Sequence, residues 1–178
     1  MTALEEYLKE SIRNVPDFPK KGIVFRDITT LLKQPDAFKK AVDYFFEKYK
    51  SEKIDKVVGI ESRGFIVGGT LAYKLNVGFV PIRKPNKLPA ETLREEYQLE
   101  YGTDAIEIHK DSIKPGDRVL LHDDLLATGG TMQAACCLVE KLGGKVVGIS
   151  FLIELSFLNG RKHLNNYDIE SIVKYQSE

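Results

Sequence analysis

The stretch LLHDDLLATGGT, from Leu120 to Thr131, combines residue types that could hold a phosphorylated sugar. Its apolar start ends in two adjacent carboxylates, Asp123 and Asp124, and a turn of small, hydroxyl-bearing and glycine residues follows at 127–131. Glycines let the backbone adopt positive φ and approach a ligand closely, and a helix that starts there directs N–H groups at an anion. Carboxylates repel a phosphate, so the two acids need a different partner.

The turn at 127–131 suits a single monophosphate. It offers main-chain N–H groups, two hydroxyls and a positive helix end, but it lacks the lysine of GxxxxGK(S/T) and the spacing of GxGxxG. The donors nearest to the acids on a sugar phosphate are ribose hydroxyls, so we expect a ribose 5-phosphate site. Strand residues alternate sides, so Asp123 and Asp124 are expected to do different work unless the backbone turns between them. From chemistry alone, an acidic strand end beside a glycine-rich turn is an almost equally good interpretation.

Two β-α-β units are expected to position this stretch. In the first, a strand over 54–60 leads through ESRGF to a helix over 66–75 and a strand over 77–82. In the second, a strand over 118–122 leads through DDLLATGG to a helix over about 131–142 and a strand over 145–152. Near-continuous apolar strands are typical of sheets covered on both faces, which predicts an α/β fold with a mainly parallel central sheet flanked by helices. Ligands of such sheets bind beyond the carboxyl ends of the strands, where both glycine-containing loops fall.

Two helices are expected before the first strand of this sheet. Thr2 and Glu5 form a capping-box pattern for a helix that runs to about Arg13, and Pro35 occupies a favoured first helical position for the second. Between them, residues 16–22 (PDFPKKG) are non-helical, and residues 23–28 (IVFRDI) are extended or irregular.

A charged segment separates the two β-α-β units. Residues 83–96 carry two prolines and show no hydrophobic period, which is typical of a disordered loop or a functional lid. The basic cluster of Arg83, Lys84 and Lys87 favours a lid, with a solvated loop as the alternative. Residues 97–109 predict a hairpin whose turn lies at Gly102–Asp104 and in which Glu107 faces solvent.

Length and composition predict one domain in a reducing cytoplasm. The 178 residues suffice for a full core, and the 26 basic and 26 acidic residues cancel, which argues against a nucleic-acid partner. No apolar run approaches the roughly 20 residues of a membrane span, and no signal-peptide pattern follows Met1. Cys136 and Cys137 are neighbours, which excludes a CxxC redox or zinc pair, so at least one should fill a buried helix face.

The chain resembles the type I phosphoribosyltransferases and, among them, the adenine phosphoribosyltransferase family. HDDLLATGGT is similar to the signature with which type I enzymes bind phosphoribosyl diphosphate. Five further stretches resemble the adenine-specific family in the order that the family shows: PDFPKKGIVFRDI, ESRGF, IRKPNKLP, LEYG and IELSFLNGR. The resemblance covers nearly the whole chain.

This resemblance implies transfer of the 5-phosphoribosyl group from phosphoribosyl diphosphate to adenine, forming AMP and pyrophosphate in purine salvage. It implies one domain over residues 1–178, with a base-covering hood at 1–34 and a flexible lid and hairpin at 83–109. It further implies a homodimer, Mg²⁺ that is carried with phosphoribosyl diphosphate and has no firm protein ligand, and an unusual cis peptide at Glu61–Ser62.

The site roles carried over by resemblance concern the donor first. The 5-phosphate would be bound by Ala127, Thr128, Gly129, Gly130 and Thr131, with Asp123 and Asp124 on the ribose side. Pyrophosphate would be bound by Arg63 and neutralised by Arg83, Lys84 and Lys87, partly across a dimer interface.

The remaining roles concern the base. Adenine would lie between Phe25 and Leu155, and the backbone of Val24 and Arg26 would read its hydrogen-bonding edge. Glu100 would be the catalytic residue, managing the proton at N7 while N9 attacks C1 of the ribose.

Two features depart from the family. His122 stands where the family usually has an apolar residue, and we expect a core histidine because three consecutive strand residues cannot all face one ion. His109 and His163 have no partner at metal-ligand spacing. Pro85 and Asn86 replace a more basic or glycine-containing loop, which bears on the flexibility of the lid.

Three other functions compete with this interpretation. A transferase for 6-oxopurines usually places a lysine or aspartate near the base, and no matching pair is found. A regulator that binds phosphoribosyl diphosphate without turnover normally adds a DNA-binding domain, and residues 1–53 do not resemble a helix-turn-helix. A bare Rossmann-like module is a weaker third, since GxGxxG is absent.

Overall fold

The computed structural model describes residues 2–99 and 102–178 of the chain. Its helices are α1 (Ala3–Ser11), α2 (Thr29–Leu32), α3 (Pro35–Tyr49), α4 (Gly64–Leu75) and α5 (Gly130–Lys141), with 3-10 segments at Ser156–Leu158 and Gly160–Leu164. Its strands are β1 (Arg13–Pro16), β2 (Val24–Asp27), β3 (Lys56–Ile60), β4 (Gly78–Ile82), β5 (Thr92–Leu99), β6 (Gly102–His109), β7 (Arg118–Leu126), β8 (Lys145–Leu155) and β9 (Ile169–Tyr175).

A five-stranded parallel sheet, in the order β4-β3-β7-β8-β9, forms the centre of the fold and confirms the predicted α/β class. From β3 the chain moves outward to β4, and from β7 it moves outward the other way to β8 and β9. The direction therefore reverses between β3 and β7, which is where open α/β sheets bind ligands. The pairs β1-β2 and β5-β6 form two small antiparallel sheets.

Both faces of the central sheet are covered, as the apolar runs predicted. Val57 of β3 and Leu120 of β7 pack into a core shared with α1, α3 and α4. Their neighbours Val58 and Leu121 pack into a second core with α5 and the β5-β6 hairpin. Alternate residues of one strand thus serve opposite cores, which explains why these strands are apolar throughout.

The helix ends follow local signals, with the exception of the Glu5 side chain at α1. Pro35 occupies the first turn of α3, and α5 ends before Gly143, which has φ +85°. At α1, the Thr2 hydroxyl accepts the Glu5 N–H at 3.1 Å, as the capping-box pattern predicted. The Glu5 carboxylate accepts the N–H of Lys174 at 3.2 Å, so the side chain ties α1 to β9.

Several predicted boundaries are wrong. Strand β7 continues through the two aspartates to Leu126, because Leu125 and Leu126 still pair with β8. Strand β5 begins at Thr92, within the stretch predicted to be irregular. Leu99 pairs with Gly102, so the predicted turn at Gly102–Asp104 is part of β6. Strand β9 and the short helix α2 were not predicted.

Glu107 is buried instead of facing solvent, with only 8% of its surface exposed. Its main chain exchanges hydrogen bonds with Arg83 at 3.0 and 2.8 Å. Its carboxylate accepts the N–H of Asn86 at 3.1 Å. The prediction failed because residues 83–86 cover this face of β6, and sequence alternation within the strand carries no sign of that cover.

Two further predictions concern single features. Both cysteines are free and lie on α5, and Cys136 is fully buried, as expected for one face of that helix. None of the helices in the described parts of the chain is long and apolar enough to cross a membrane.

Candidate active site

Two loops meet at the carboxyl ends of β3 and β7. The loop after β3 contains the cis peptide Glu61–Ser62, as expected. The phosphate turn, which we define as residues 127–131, follows β7 and leads into α5. Between these loops lies a cavity of 310 Å³, which brings together six of the predicted site residues: Arg63, Arg83, Lys84, Asp123, Asp124 and Thr131.

The phosphate turn is shaped by Gly129. This residue has φ +89°, and a Cβ placed on it would lie 2.4 Å from the carbonyl oxygen of Gly160. No side chain caps the start of α5, so N–H groups of its first turn are available to a ligand. A small cavity of 70 Å³ faces the turn and is lined by Ala127, Thr128, Gly129 and Thr131 among others.

Gly160 packs against the phosphate turn, although sequence reasoning gave it no role. A Cβ placed on it would lie 2.2 Å from the carbonyl oxygen of Ala127, so the two segments touch backbone to backbone. The available signal was its place in the stretch IELSFLNGR, which carries part of the family resemblance.

Asp123 and Asp124 have different surroundings, as strand alternation predicted. Asp124 is 7% exposed, and its Oδ2 accepts a hydrogen bond from Arg63 Nε at 2.6 Å. Asp123 Oδ1 accepts the N–H of Asp124 at 2.8 Å and lies against Gly64, where a Cβ would approach it to 2.9 Å. Burial, and then the neighbouring charge of Asp124, raise the pKa of Asp123 well above its ordinary value.

Glu61 holds the basic segment, which we define as residues 83–87. Its carboxylate accepts from Arg83 Nη2 at 2.6 Å and from the N–H of Lys84 at 3.2 Å. The hydrogen bond from Arg83 lowers the pKa of Glu61. Arg83 Nη1 also donates to the carbonyl of Lys87 at 3.0 Å, which closes the segment on itself.

Lys84 reaches the β5-β6 hairpin. Its ammonium is paired with Asp104 and lies 3.1 Å from the hydroxyl of Tyr97. The three cations that line the cavity therefore each have a carboxylate partner: Asp124 for Arg63, Glu61 for Arg83 and Asp104 for Lys84.

Of the residues predicted to hold the base, Phe25 lies beside Arg63. The guanidinium of Arg63 is 5.6 Å from the ring of Phe25, which packs edge to face with Phe18 at 5.3 Å. The N–H of Val24 donates to Glu178 Oε2 at 2.9 Å.

Arg26 and Leu155 are both tied to β9. Arg26 stacks 4.0 Å over Tyr175 and donates to Asn14 Oδ1 at 2.7 Å, which fixes the backbone of β2. Leu155 ends β8 and pairs with Tyr175. Glu100, the predicted catalytic residue, lies outside the described residues.

The geometry can therefore hold one phosphate at the phosphate turn, a second anion at the three cations and a sugar between them. A family model described as the phosphoribosyl transferase domain matches residues 27–175. The adenine phosphoribosyltransferase of Brachyspira hyodysenteriae is 60% identical over 168 residues, which is 94% of this chain and 99% of that protein.

Solved structures of adenine phosphoribosyltransferases are also similar to this chain. The crystal structure of adenine phosphoribosyltransferase from Thermoanaerobacter pseudethanolicus superposes with a TM-score of 0.93 at 56% identity, over 96% of this chain and 99% of that one. The enzyme from Saccharomyces cerevisiae, complexed with an imino-altritol bisphosphate and adenine, gives 0.91 at 41% identity, over 97% and 100%. With its switch-point cavity and its phosphate turn, the chain belongs to the phosphoribosyl transferase family, among the adenine phosphoribosyltransferases.

Proposed function

We propose that this protein transfers the 5-phosphoribosyl group from phosphoribosyl diphosphate to adenine, forming AMP and pyrophosphate. The observation that carries the proposal is the pairing of two anion sites at one sheet switch point. The phosphate turn stands at the end of β7, and a cavity with three cations stands beside it. The yeast relative in complex with adenine supports the choice of base.

The donor binds across these two sites. Main-chain N–H groups at residues 127–131 hold the 5-phosphate, and the glycines there allow its close approach. Asp123 and Asp124 accept hydrogen bonds from the ribose hydroxyls. Asp124 also orients Arg63, and the Arg63 guanidinium binds the pyrophosphate.

Departure of pyrophosphate places positive charge on the ribose ring and negative charge on the leaving group. Arg63, Arg83, Lys84 and Lys87 stabilise the leaving group, and the nearby aspartates tolerate the positive ring. Lys87 contributes through movement of the basic segment, whose contacts within the described residues are with Glu61 and with the β5-β6 hairpin, including Glu107. Closure of this segment excludes water that could hydrolyse the donor.

The charge balance of the cavity supports a role for Mg²⁺ that enters with the donor. Arg63, Arg83 and Lys84 are already neutralised by carboxylates, so a diphosphate adds uncompensated negative charge. Bound Mg²⁺ supplies positive charge to the leaving pyrophosphate. Within residues 2–99 and 102–178 there is no group of three or more His, Cys, Asp or Glu side chains that could hold a metal. A Mg²⁺ ion carried with the donor would need few protein ligands, because Mg²⁺ bound to a diphosphate usually keeps several waters.

Adenine binds between Phe25 and Leu155, and the backbone of Val24 and Arg26 reads its edge. The Arg26 side chain donates to Asn14 and stacks on Tyr175, which fixes the position of the β2 backbone beside the base. Glu100 manages the proton at N7 while N9 attacks C1 of the ribose. A site built on main-chain donors and acceptors can reject 6-oxopurines by factors of ~10⁴, since they would leave buried groups unpaired.

We further propose a homodimer in a reducing cytoplasm. Helix α4 follows Arg63 and exposes Ile66 (44%) and Tyr73 (86%) on one face. Large apolar side chains that share an exposed helix face mark an association surface. Two free cysteines support a reducing compartment.

A purine panel tests the proposed function. The protein is mixed with phosphoribosyl diphosphate, Mg²⁺ and adenine, hypoxanthine or guanine, and nucleotide is detected by absorbance and chromatography. AMP formed from adenine alone is the expected result. IMP or GMP as the main product would assign the chain to 6-oxopurine transfer, and donor binding without any product would make it a regulator.

A further inference from the structure

We propose that Arg161 is a positioning residue for the phosphate turn and that it acts through Gly160. This inference rests on the proposed function, since it concerns the 5-phosphate subsite of the same reaction. Arg161 does not line the cavity of 310 Å³ or the small cavity at the turn. Its role is to hold the segment at 160–164, against which the phosphate turn packs.

Arg161 is fixed by four hydrogen bonds. Its Nε and Nη2 donate to the two oxygens of Glu154 at 2.9 and 2.8 Å, which is a bidentate fork. Its Nη1 donates to the carbonyl of Ile169 at 3.1 Å, and Nη2 also reaches Ser171 Oγ at 3.4 Å. The guanidinium therefore ties the segment at 160–164 to the ends of β8 and the start of β9.

The residue before Arg161 forms the back of the phosphate turn. Gly160 touches Ala127 and Gly129 so closely that a Cβ on either glycine would come within 2.4 Å of a carbonyl oxygen. Backbone atoms in such contact leave the turn little room to retreat. Moving residue 160 by a few tenths of an ångström must move the N–H groups that are to meet a phosphate.

The pattern of charge and burial favours a positioning role over a simple surface ion pair. The Arg161 side chain is 40% exposed, but its partner Glu154 is only 6% exposed, whereas pairs exposed on both sides contribute little to structure. Arginine is required for the planar fork, because a lysine ammonium is a point charge that cannot bridge both carboxylate oxygens and the carbonyl of Ile169. Arg161→Lys keeps the charge and loses this geometry.

The test compares AMP with adenosine, because the two ligands differ only in the 5-phosphate. Affinities are measured by calorimetry for the wild type, Arg161→Lys and a matched control, Arg118→Lys. Arg118 also makes several hydrogen bonds, to the carbonyls of Glu52 and Lys53, but at the amino end of β7 away from the turn. Thermal melts set an assay temperature at which all three proteins are folded.

We expect Arg161→Lys to weaken AMP binding about 10-fold while the affinity for adenosine changes less than about 2-fold. Arg118→Lys should change neither. In kinetics, Arg161→Lys should raise KM for phosphoribosyl diphosphate more than it lowers kcat. A merely structural role would leave the ratio of AMP to adenosine affinity at the wild-type value, and that result would overturn the inference.

Gly160→Ala gives an independent measurement. It leaves the Arg161 fork in place and forces a methyl group against Ala127, so a selective loss of AMP affinity is expected again. An unchanged preference for AMP would contradict the contact between Gly160 and the turn as the route of the effect. A wild type that binds AMP no better than adenosine would instead overturn the proposed function.

Discussion

Arg63 donates its Nε–H to Oδ2 of Asp124 at 2.6 Å, and this bond joins the loop after β3 to the middle of the site on β7. Because the two side chains depend on each other, we expect Arg63→Lys and Asp124→Asn to be non-additive. Each should weaken phosphoribosyl diphosphate binding about 10-fold, and the double variant should lose little more than either single variant. Calorimetric titration with the donor in the presence of Mg²⁺ measures all four proteins.

A suitable control for this cycle pairs Arg63→Lys with Asp27→Asn. Asp27 also has an arginine partner, Arg13, but that pair lies on the β1-β2 sheet. The effects of Asp27→Asn and Arg63→Lys on the free energy of donor binding should add within about 0.5 kcal/mol. Additive behaviour of Arg63 and Asp124 would show that the bond does not operate in the donor-binding state.

Asp123→Asn should stabilise the fold and weaken donor binding. The pKa of Asp123 is raised in the folded protein, so its contribution to stability is present below the unfolded pKa near 3.9 and is lost as pH rises through the folded pKa. At pH 7 to 8 the asparagine variant should therefore melt at a higher temperature than the wild type. The difference should shrink toward pH 4.

Donor affinity provides the functional half of this prediction. If Asp123 serves the ribose hydroxyls, Asp123→Asn alone should bind phosphoribosyl diphosphate more weakly than the wild type. Unchanged affinity would remove the diol assignment, even if the gain in melting temperature is found.

His122 should make the fold sensitive to acid. It is fully buried, with Nδ1 at 2.9 Å from Ser150 Oγ, and burial lowers its pKa from 6.5 to about 3. Stability that depends on the neutral ring is present above pH 6.5 and is lost as pH falls toward 3. Titration of this one ring contributes a slope of up to about 1.4 kcal/mol per pH unit to the free energy of unfolding.

The variant His122→Val isolates this contribution. Urea unfolding at pH 7.5, 6 and 5 should give a flatter loss of stability for the variant than for the wild type. Ser150→Ala is the matched control, because it alters the same contact and keeps the titrating ring. Parallel curves for wild type and His122→Val would mean that the ring is not the group that responds.

Glu100→Gln should lower kcat with little change in donor affinity. General acid–base groups typically contribute 10²–10⁴-fold, so we expect a loss of roughly 100-fold or more in single-turnover AMP formation. Glu96→Gln serves as control, because Glu96 is an exposed residue of β5 whose partner is the surface residue Arg94. A kcat near that of the wild type would disprove the proton role.

Tyr73→Glu should disrupt the proposed dimer. Tyr73 is 86% exposed on α4, and a carboxylate there would be desolvated and repelled by its symmetry mate. Light scattering after size exclusion should give twice the chain mass for the wild type and a lower mass for the variant. The control Lys40→Glu changes charge on α3, and it should leave the mass unchanged. A monomeric wild type would contradict the proposal.

The sequence was informative where signals are local. Apolar runs between glycine-containing loops predicted the parallel sheet, and Pro35 and Gly143 marked helix ends because each acts within a turn of its own position. The turn at 127–131 could be proposed as a phosphate site for the same reason, since its residues are contiguous.

What sequence reasoning missed depends on contacts between distant segments. Glu107 was assigned to solvent because the alternation of polar and apolar residues along β6 carries no information about the basic segment that covers it. Gly160 had no role until its backbone was found against Ala127. The aspartates were placed in a loop because charge usually ends a strand, but pairing with β8 continues past them.

The three ion pairs around the cavity have a consequence for ionic strength. Because Arg63, Arg83 and Lys84 each begin with a carboxylate partner, an incoming diphosphate exchanges one ion pair for another and does not meet bare cations. Added salt screens the old pairs and the new ones alike. Donor affinity should therefore fall less steeply with salt concentration than the number of basic side chains suggests.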